Sequence, residues 1–354
     1  MTRPFRVIDT GLREARENIA FDEALIEAHK DGAIPDTIRF LRFPPSALVG
    51  RHQAIGREIN VEHCKANGIA IGRRITGGGT LYLDEGQIGW ELVFGRNSLG
   101  VSDLGVLTQK ICEAAAAGLS TLGIDARFRP RSDIEVDGQK LCGTGGFFDG
   151  DTLFFQGTLL IDFDPSKMIG ALKLPAPPSV PEGEAPPKPR MTTLRALLGG
   201  KTPDLREIQD AILGGLAEGL GIEPARGEIT ADEEARAIRL HAEEIGTDDF
   251  VYEIDAPDAG DGVHAATEAT PGGTVSAYLR LEGPQESRVR EVLLSGDFFV
   301  TPPRVIYDLE ASLRGVLVAE LGAAVDGYFS NAEVGILTVP PASFRSVIEK
   351  AAAA

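Results

Sequence analysis

Three consecutive glycines following two arginines constrain this chain more than any other stretch: Gly72-Arg73-Arg74-Ile75-Thr76-Gly77-Gly78-Gly79-Thr80-Leu81-Tyr82-Leu83-Asp84. Glycine weakens an ordinary strand or helix interior. Three in a row therefore mark a place where backbone must come close to something else. The adjacent guanidiniums point to an anion, because the arginine fork suits phosphate and carboxylate. On a strand Arg73 and Arg74 alternate in direction, so one of the two is expected to face the site. The plainer alternative is a tight hairpin with solvated arginines.

The 354 residues suffice for two domains. With 53 acidic against 35 basic residues the formal charge is -18, which argues against a nucleic-acid partner; an anionic ligand would need a local basic pocket. Cys64, Cys112 and Cys142 lack metal spacing and cannot all pair, as in a reducing compartment. The start Met1-Thr2-Arg3-Pro4-Phe5 lacks a signal-peptide core and no run reaches membrane-spanning length, so a cytoplasmic protein without a membrane partner is expected.

Periodicity predicts strands at Phe5–Asp9, Thr37–Phe43, Ala47–Val49 and Ile69–Ile75, and a strand, turn and strand over Tyr82–Phe94. Helices are expected over Glu14–Lys30, Val61–Asn67 and Ser102–Leu122. Asp137-Gly138 signals a tight hairpin. It places Lys140 at the start of a strand that runs out into Gly143, Gly145 and Gly146, followed by a strand within Thr152–Phe163. The proline-dense segment 175–190 reads as an exposed loop, and helical patterns follow over Met191–Leu220 and Ala231–Glu244. Composition shifts near Asp255–Gly262. This divides the chain into a first unit, residues 1–254, and a small α/β unit, residues 255–354, with strands at Gly273–Leu281 and Glu291–Leu294 and helices at Arg304–Leu313 and Phe344–Ala353.

Arg51, Arg74 and Lys140 each sit in or beside a glycine-rich turn. If the sheet gathers those turns, backbone N–H donors and positive charge make an anion site. Neither glycine cluster opens a helix, which excludes a P-loop or dinucleotide fingerprint. Cys142 has no histidine in its neighbourhood and reads as a structural thiol.

The stretch Arg73 to Asp84 resembles the Arg-Arg-x-Ser/Thr-Gly-Gly-Gly-Ala-x-x-His-Asp motif of lipoate–protein ligases. Ser132-Asp133-Ile134 with Gly138-Gln139-Lys140-Leu141-Cys142-Gly143 is similar to that family's Asn-Asp-Leu and Gly-x-Lys-Ile-Ser-Gly elements. Gln156-Gly157-Thr158-Leu159-Leu160 resembles its His-Gly-Thr-Leu-Leu strand, and Gly50-Arg51-His52-Gln53 its early Gly-Arg corner. Leu293–Phe299 resembles the end of a strand in the family's accessory domain.

The resemblance implies an α/β (α+β) mixed-sheet catalytic domain of the biotin/lipoate-ligase type plus a C-terminal α/β accessory domain. It implies an ATP- and Mg²⁺-dependent enzyme that converts lipoate to lipoyl-AMP and passes the lipoyl group to a lysine of an acceptor. The acceptor would be an E2 subunit, a glycine-cleavage H-like protein or a related lipoyl domain. By position, Lys140 would contact the carboxylate and α-phosphate, and Asp133 the nucleotide or its Mg²⁺. Arg51, Arg74, Thr76, Gly77, Gly78, Gly79, Thr80, Leu83, Cys142, Gly143, Gln156, Gly157 and Thr158 would complete the binding site, with Leu81, Leu83 and Trp90 as walls for the acyl chain.

Leu83 and Gln156 stand where the family has His, Cys142 where Ser is common and Ser132 where Asn is common. These departures suggest a divergent branch. One rival implied by the superfamily is an ATP-independent octanoyltransferase working through a cysteine thioester, although Arg127 occupies the position aligned with that cysteine. A second is a non-enzymatic binder of a lipoyl or nucleotide group.

Overall fold

The computed structural model describes residues 3–130, 132–174, 190–257 and 262–354. The expected proline-dense loop, the first two residues and part of the expected boundary segment lie outside them. In chain order the main elements of the first part are β1 (Arg3–Leu12), α1 (Ala15–Lys30), β2 (Thr37–Arg42), β3 (Ser46–Val49), β4 (Ala70–Arg73), β5 (Leu81–Leu83), β6 (Gln87–Gly95), α2 (Leu104–Ser120), β7 (Arg127–Arg129), β8 (Asp133–Val136), β9 (Gln139–Asp149), β10 (Thr152–Leu160), α3 (Leu205–Leu220), β11 (Ile222–Arg226) and α4 (Ala231–Leu240). The eight-stranded sheet runs β11-β1-β2-β6-β10-β9-β8-β7. It is mixed: β1 pairs in parallel with β11 and β2, and the other pairs are antiparallel. A second sheet, β4-β3-β5, carries the glycine stretch between its outer strands.

Local chemistry explains the boundaries. A capping box between Glu14 and Glu17 starts α1. Asp103 and Asp204 accept from backbone N–H groups of the first turns of α2 and α3, and Gly221 closes α3 in the left-handed region at φ 66°. Asp137 and Gly138 take φ 51° and 79°, as the expected hairpin requires.

The sheet has two buried faces. α1 and the small sheet cover one, where Ile19, Phe21, Leu25, Leu48 and Phe154 pack. On the other, α2 and α3 cover Phe40, Trp90, Cys142, Phe155 and Leu159. The expected dissolution of β9 into glycines does not occur. β9 stays paired with β10 from Cys142↔Leu159 to Asp149↔Thr152, because the ladder bonds depend on backbone alone.

Residues from Val263 onward form a further three-stranded sheet, β12 (Val263–Thr270), β13 (Gly273–Glu282) and β14 (Arg288–Gly296). Three helices accompany it, α5 (Arg304–Ser312), α6 (Leu321–Asn331) and α7 (Pro341–Ala352). This part has its own core, including Leu279, Leu294, Ile306, Phe344 and Val347. Strands β11 and β12 and helix α6 have no counterpart in the sequence expectation; β12 alternates half-buried and exposed residues, mostly small or polar, and so lacks an apolar signature.

Two expectations meet a correction here. Trp90 faces α2 and α3, and a Cβ on Gly157 would lie 2.3 Å from its indole ring. Neither residue turns a side-chain direction toward the glycine stretch. Gly157→Ala should therefore destabilise the fold by about 1–3 kcal/mol through overpacking, read by denaturant unfolding; unchanged stability would mean that Trp90 is loosely held.

Candidate active site

Alternation along the sheet places Gly143, Gly145 and Phe147 of β9 beside Thr158, Gln156 and Phe154 of β10, on the face opposite α2 and α3. The Lys140 side chain lies over Gly143, where a Cβ would be 2.6 Å from Nζ. A side chain at this position would displace the lysine from its present place. Lys140 Nζ meets Asp133 Oδ1 at 2.9 Å, and the other Asp133 oxygen accepts from Arg129. A register shift separates the pairs Ile134↔Cys142 and Glu135↔Lys140, and the Lys140 backbone also bonds to the segment Arg190–Thr192. The bulge aims the lysine, since it breaks the strict alternation of the strand.

The glycine stretch is braced from within. Arg74 is buried and donates from Nε to Thr76 Oγ1 at 3.2 Å and from Nη2 to the carbonyls of Gly77 and Gly79 at 3.0 and 2.9 Å. Burial lowers its pKa to about 10, so it stays a cation at neutral pH. Thr76 Oγ1 also accepts from Gln156 Nε2 at 3.1 Å, joining the stretch to β10. Thr80 donates to Gln53 and stands 3.1 Å from Glu58, whose carboxyl is pushed up by burial. Gln156 stands opposite Glu91 in the sheet. Glu91 and Asp22 share the buried Arg39 guanidinium at 3.0 and 2.6 Å, and burial raises both carboxyls.

The C-terminal part reaches this site, which the sequence did not reveal. A Cβ on Gly77 would lie 2.4 Å from the Phe298 carbonyl, and one on Gly78 would lie 2.8 Å from the Phe299 ring. A Cβ on Gly145 would lie 3.3 Å from the same ring. The adjacent Phe298-Phe299 pair was the available signal. His52, expected only as part of a polar corner, stacks on Phe298 with ring centroids 5.3 Å apart.

Several expected site residues have their side chains taken up by other contacts. Arg51 pairs with Glu253 and sits between the rings of Phe250 and Tyr307, 4.8 and 5.3 Å from their centroids. It lines a cavity of about 1670 Å³ between the two parts of the chain, together with Glu23, Ile75, Phe147, Ile245 and Tyr307. Burial raises the Glu23 carboxyl there to about 7. Leu83 is buried in the core beside α1 and pairs with Ser46. Cys142 is fully buried in the core under α2 and α3, where burial pushes its thiol up to about 12. Both correct the expectation of ligand contact, because core packing takes their side chains. Asp133 does not suit a resident Mg²⁺: both carboxylate oxygens already meet cationic side chains. Among the described residues no group of three His, Cys, Asp or Glu side chains gathers to hold a metal.

Residues 14–217 match the model of the lipoyl protein ligase A/B catalytic domain, more than half of the chain. The chain belongs to this family. It is 28% identical to an octanoyltransferase LipM of Kyrpidia tusciae over 70% of this chain and 98% of the relative. It is 25% identical to lipoate-protein ligase A subunit 1 of Thermoplasma acidophilum over 66% and 91%. The structure of P. falciparum LipL1 in complex with lipoate matches 98% of this chain and 99% of its own, with a TM-score of 0.75 and 16% identity. That likeness extends the shared fold through the C-terminal part. A bipartite ligase from T. acidophilum, studied with its E2 lipoyl domain, matches 73% and 99% with a TM-score of 0.60 and 22% identity. A lipoate-protein ligase A bound with ATP matches 71% and 99% with a TM-score of 0.59 and 24% identity. The chain is thus an enzyme of the lipoate ligase and transferase family. None of its helices, among the described residues, is long and apolar enough to cross a membrane.

His52 yields a pH prediction for this family member. It is 1% exposed, both ring nitrogens lack partners, and burial with the charges of Arg51 and Arg73 depresses its pKa to about 3. Unfolded, it protonates near its ordinary 6.5. Below that value the unfolded chain takes up a proton that the folded chain refuses, so this contribution to stability is complete above pH 6.5 and falls as pH drops. The loss should approach about 1.4 kcal/mol per pH unit. His52→Phe should flatten the slope between pH 6 and 5 in denaturant titrations; identical slopes would refute the assignment.

Proposed function

We propose that this protein is an ATP-dependent lipoate–protein ligase. The observation that carries this reading is the separation of chemistry across the sheet. The Lys140 ammonium, held by Asp133, lies on the face of the glycine stretch, while Cys112 and Cys142 are buried beneath α2 and α3. Burial pushes those thiols up to about 11 and 12. A protonated thiol sealed in an apolar core is a poor nucleophile. Cys64 is buried as well, with its thiol raised by the same cause.

In the first step a lipoate carboxylate oxygen attacks the α-phosphorus of ATP. The bond to the bridging oxygen breaks, and pyrophosphate leaves with the electron pair. Lys140 offsets negative charge at the carboxylate and the α-phosphate. Backbone N–H groups of Gly77 and Gly79, in a stretch shaped by Arg74, are the donors proposed for that charge, since the Gly78 N–H donates to the Phe298 carbonyl at 3.4 Å. Mg²⁺ enters as part of the nucleotide substrate. The cavity walls Ile75, Phe147 and Ile245 receive the acyl chain. In the second step the amine of an acceptor lysine attacks the acyl carbon, AMP departs and the amine loses a proton. The adenylate is already activated, so positioning is the main requirement. A lipoyl domain of the E2 kind is the acceptor class proposed.

The relative named octanoyltransferase LipM favours a second reading, acyl transfer through a thioester without ATP. The family resemblance puts Arg127 at the place of that cysteine, and Arg127 is exposed and paired with Asp125.

Purified protein with ATP, Mg²⁺, lipoate and an acceptor lipoyl domain should release pyrophosphate and add a lipoyl mass to the acceptor. Lys140→Ala should slow adenylate formation by about 10²–10³-fold, whereas Cys142→Ser should retain activity. ATP-independent transfer abolished by Cys142→Ser would establish the thioester reading instead. Tight lipoate binding with neither reaction would identify a binder.

A further inference from the structure

Arg73, the first arginine of the pair, makes an arrangement with no obvious part in binding. Its guanidinium is 1% exposed and donates to six backbone carbonyls. Three belong to the corner after β3: Nη1 reaches Gly50 and Arg51 at 3.1 Å and Gln53 at 2.8 Å. The other three belong to the segment leading to the C-terminal part: Nε reaches Phe250 and Val251 at 3.2 and 3.1 Å, and Nη2 reaches Ile254 at 3.1 Å. Among the described residues it has no carboxylate in ion-pair contact. Several carbonyl dipoles replace the single counterion.

Each end is tied onward. The Arg51 N–H donates to the Thr76 carbonyl at 2.9 Å, and Gln53 Oε1 accepts from the Gly50 N–H at 2.8 Å and from Thr80 at 2.9 Å. Gly50 also abuts Gly78, where a Cβ would be 2.0 Å from the Gly78 carbonyl. The corner therefore shapes both ends of the glycine stretch. At the other end, the Ile254 carbonyl accepts from Ile55 and Asp255 from Gly56, and Phe250 stacks under Arg51, whose other face meets Tyr307 of the C-terminal part.

We infer that Arg73 is a positioning residue that couples the glycine stretch to the connector at residues 250–254, so that ligand engagement on one side alters order on the other. The planar fork is essential. Its donors point to opposite sides, which a lysine ammonium at the same place cannot reproduce. The ligand half of the inference rests on the proposed lipoate and ATP chemistry.

Amide hydrogen exchange followed by mass spectrometry tests it in the full chain. Without ligand, Arg73→Lys, which keeps the charge, should speed exchange both at residues 50–56 and 76–80 and at 250–256. Acceleration on one side alone overturns the coupling. With ATP and lipoate added, the wild type should slow exchange at the connector as well as at the glycine stretch. In Arg73→Lys the slowing at 76–80 should survive while that at 250–256 falls at least about fivefold, a purely local opening that leaves global stability in place. Equal protection of the connector in the variant overturns the inference. Absence of any ligand effect in the wild type speaks against the ligase reading, and the ligand-free comparison then decides the coupling. Should Arg73→Lys fail to fold, Gln53→Leu severs the corner from Thr80 and Gly50. It should produce the same loss at 250–256, and wild-type protection there overturns the inference.

Discussion

Two buried guanidiniums that bond to backbone carbonyls hold the central part of this molecule. Arg74 gathers the carbonyls of Gly77 and Gly79, and Arg73 spans from the Gly50–Gln53 corner to the 250–254 connector. A carboxylate partner would satisfy one charge at one point. A fan of carbonyls instead fixes two lengths of main chain relative to each other, which glycines cannot do for themselves because they have no side chains to pack. The conformational freedom of three adjacent glycines is thus removed from outside the stretch.

The second constraint is the sheet, which sorts groups by parity. Lys140, Gln156 and Thr76 face the space under the glycine stretch, whereas Trp90, Cys142 and Leu141 face α2 and α3. The sorting is not perfectly periodic at Lys140, where the register shift between β8 and β9 turns the lysine over Gly143. That single irregularity separates a cation beside the glycines from a thiol sealed in the core. The proposal of an adenylating enzyme rather than a thioester one rests on that separation.

The glycines also serve contact between the two parts of the chain. Gly77, Gly78 and Gly145 leave room for Phe298 and Phe299, and His52 stacks against Phe298. The nitrogens of that imidazole and the Tyr307 hydroxyl lack partners. Buried polar groups without hydrogen bonds weaken an interface. Arg51, close to the rings of both Phe250 and Tyr307, adds cation–π contacts across it.

Much of this was legible in the residues. Period-two and helical patterns place most strands and helices of the first part, the Asp137-Gly138 pair marks its hairpin, and four ordered motifs mark the family. The same patterns could not say what the glycines approach, because a glycine needed for a ligand and one needed for a neighbouring chain segment look alike. Nor could they find β11 and β12, whose few apolar residues carry little periodic signal. The local code determined the fold class and the set of groups available for chemistry. Tertiary structure alone decided that Cys142 and Leu83 belong to cores, that Arg51 clasps the C-terminal part, and that Arg73 faces the connector. Those outcomes depend on contacts between residues some 200 positions apart, such as Arg51 with Glu253, and no short-range pattern encodes them.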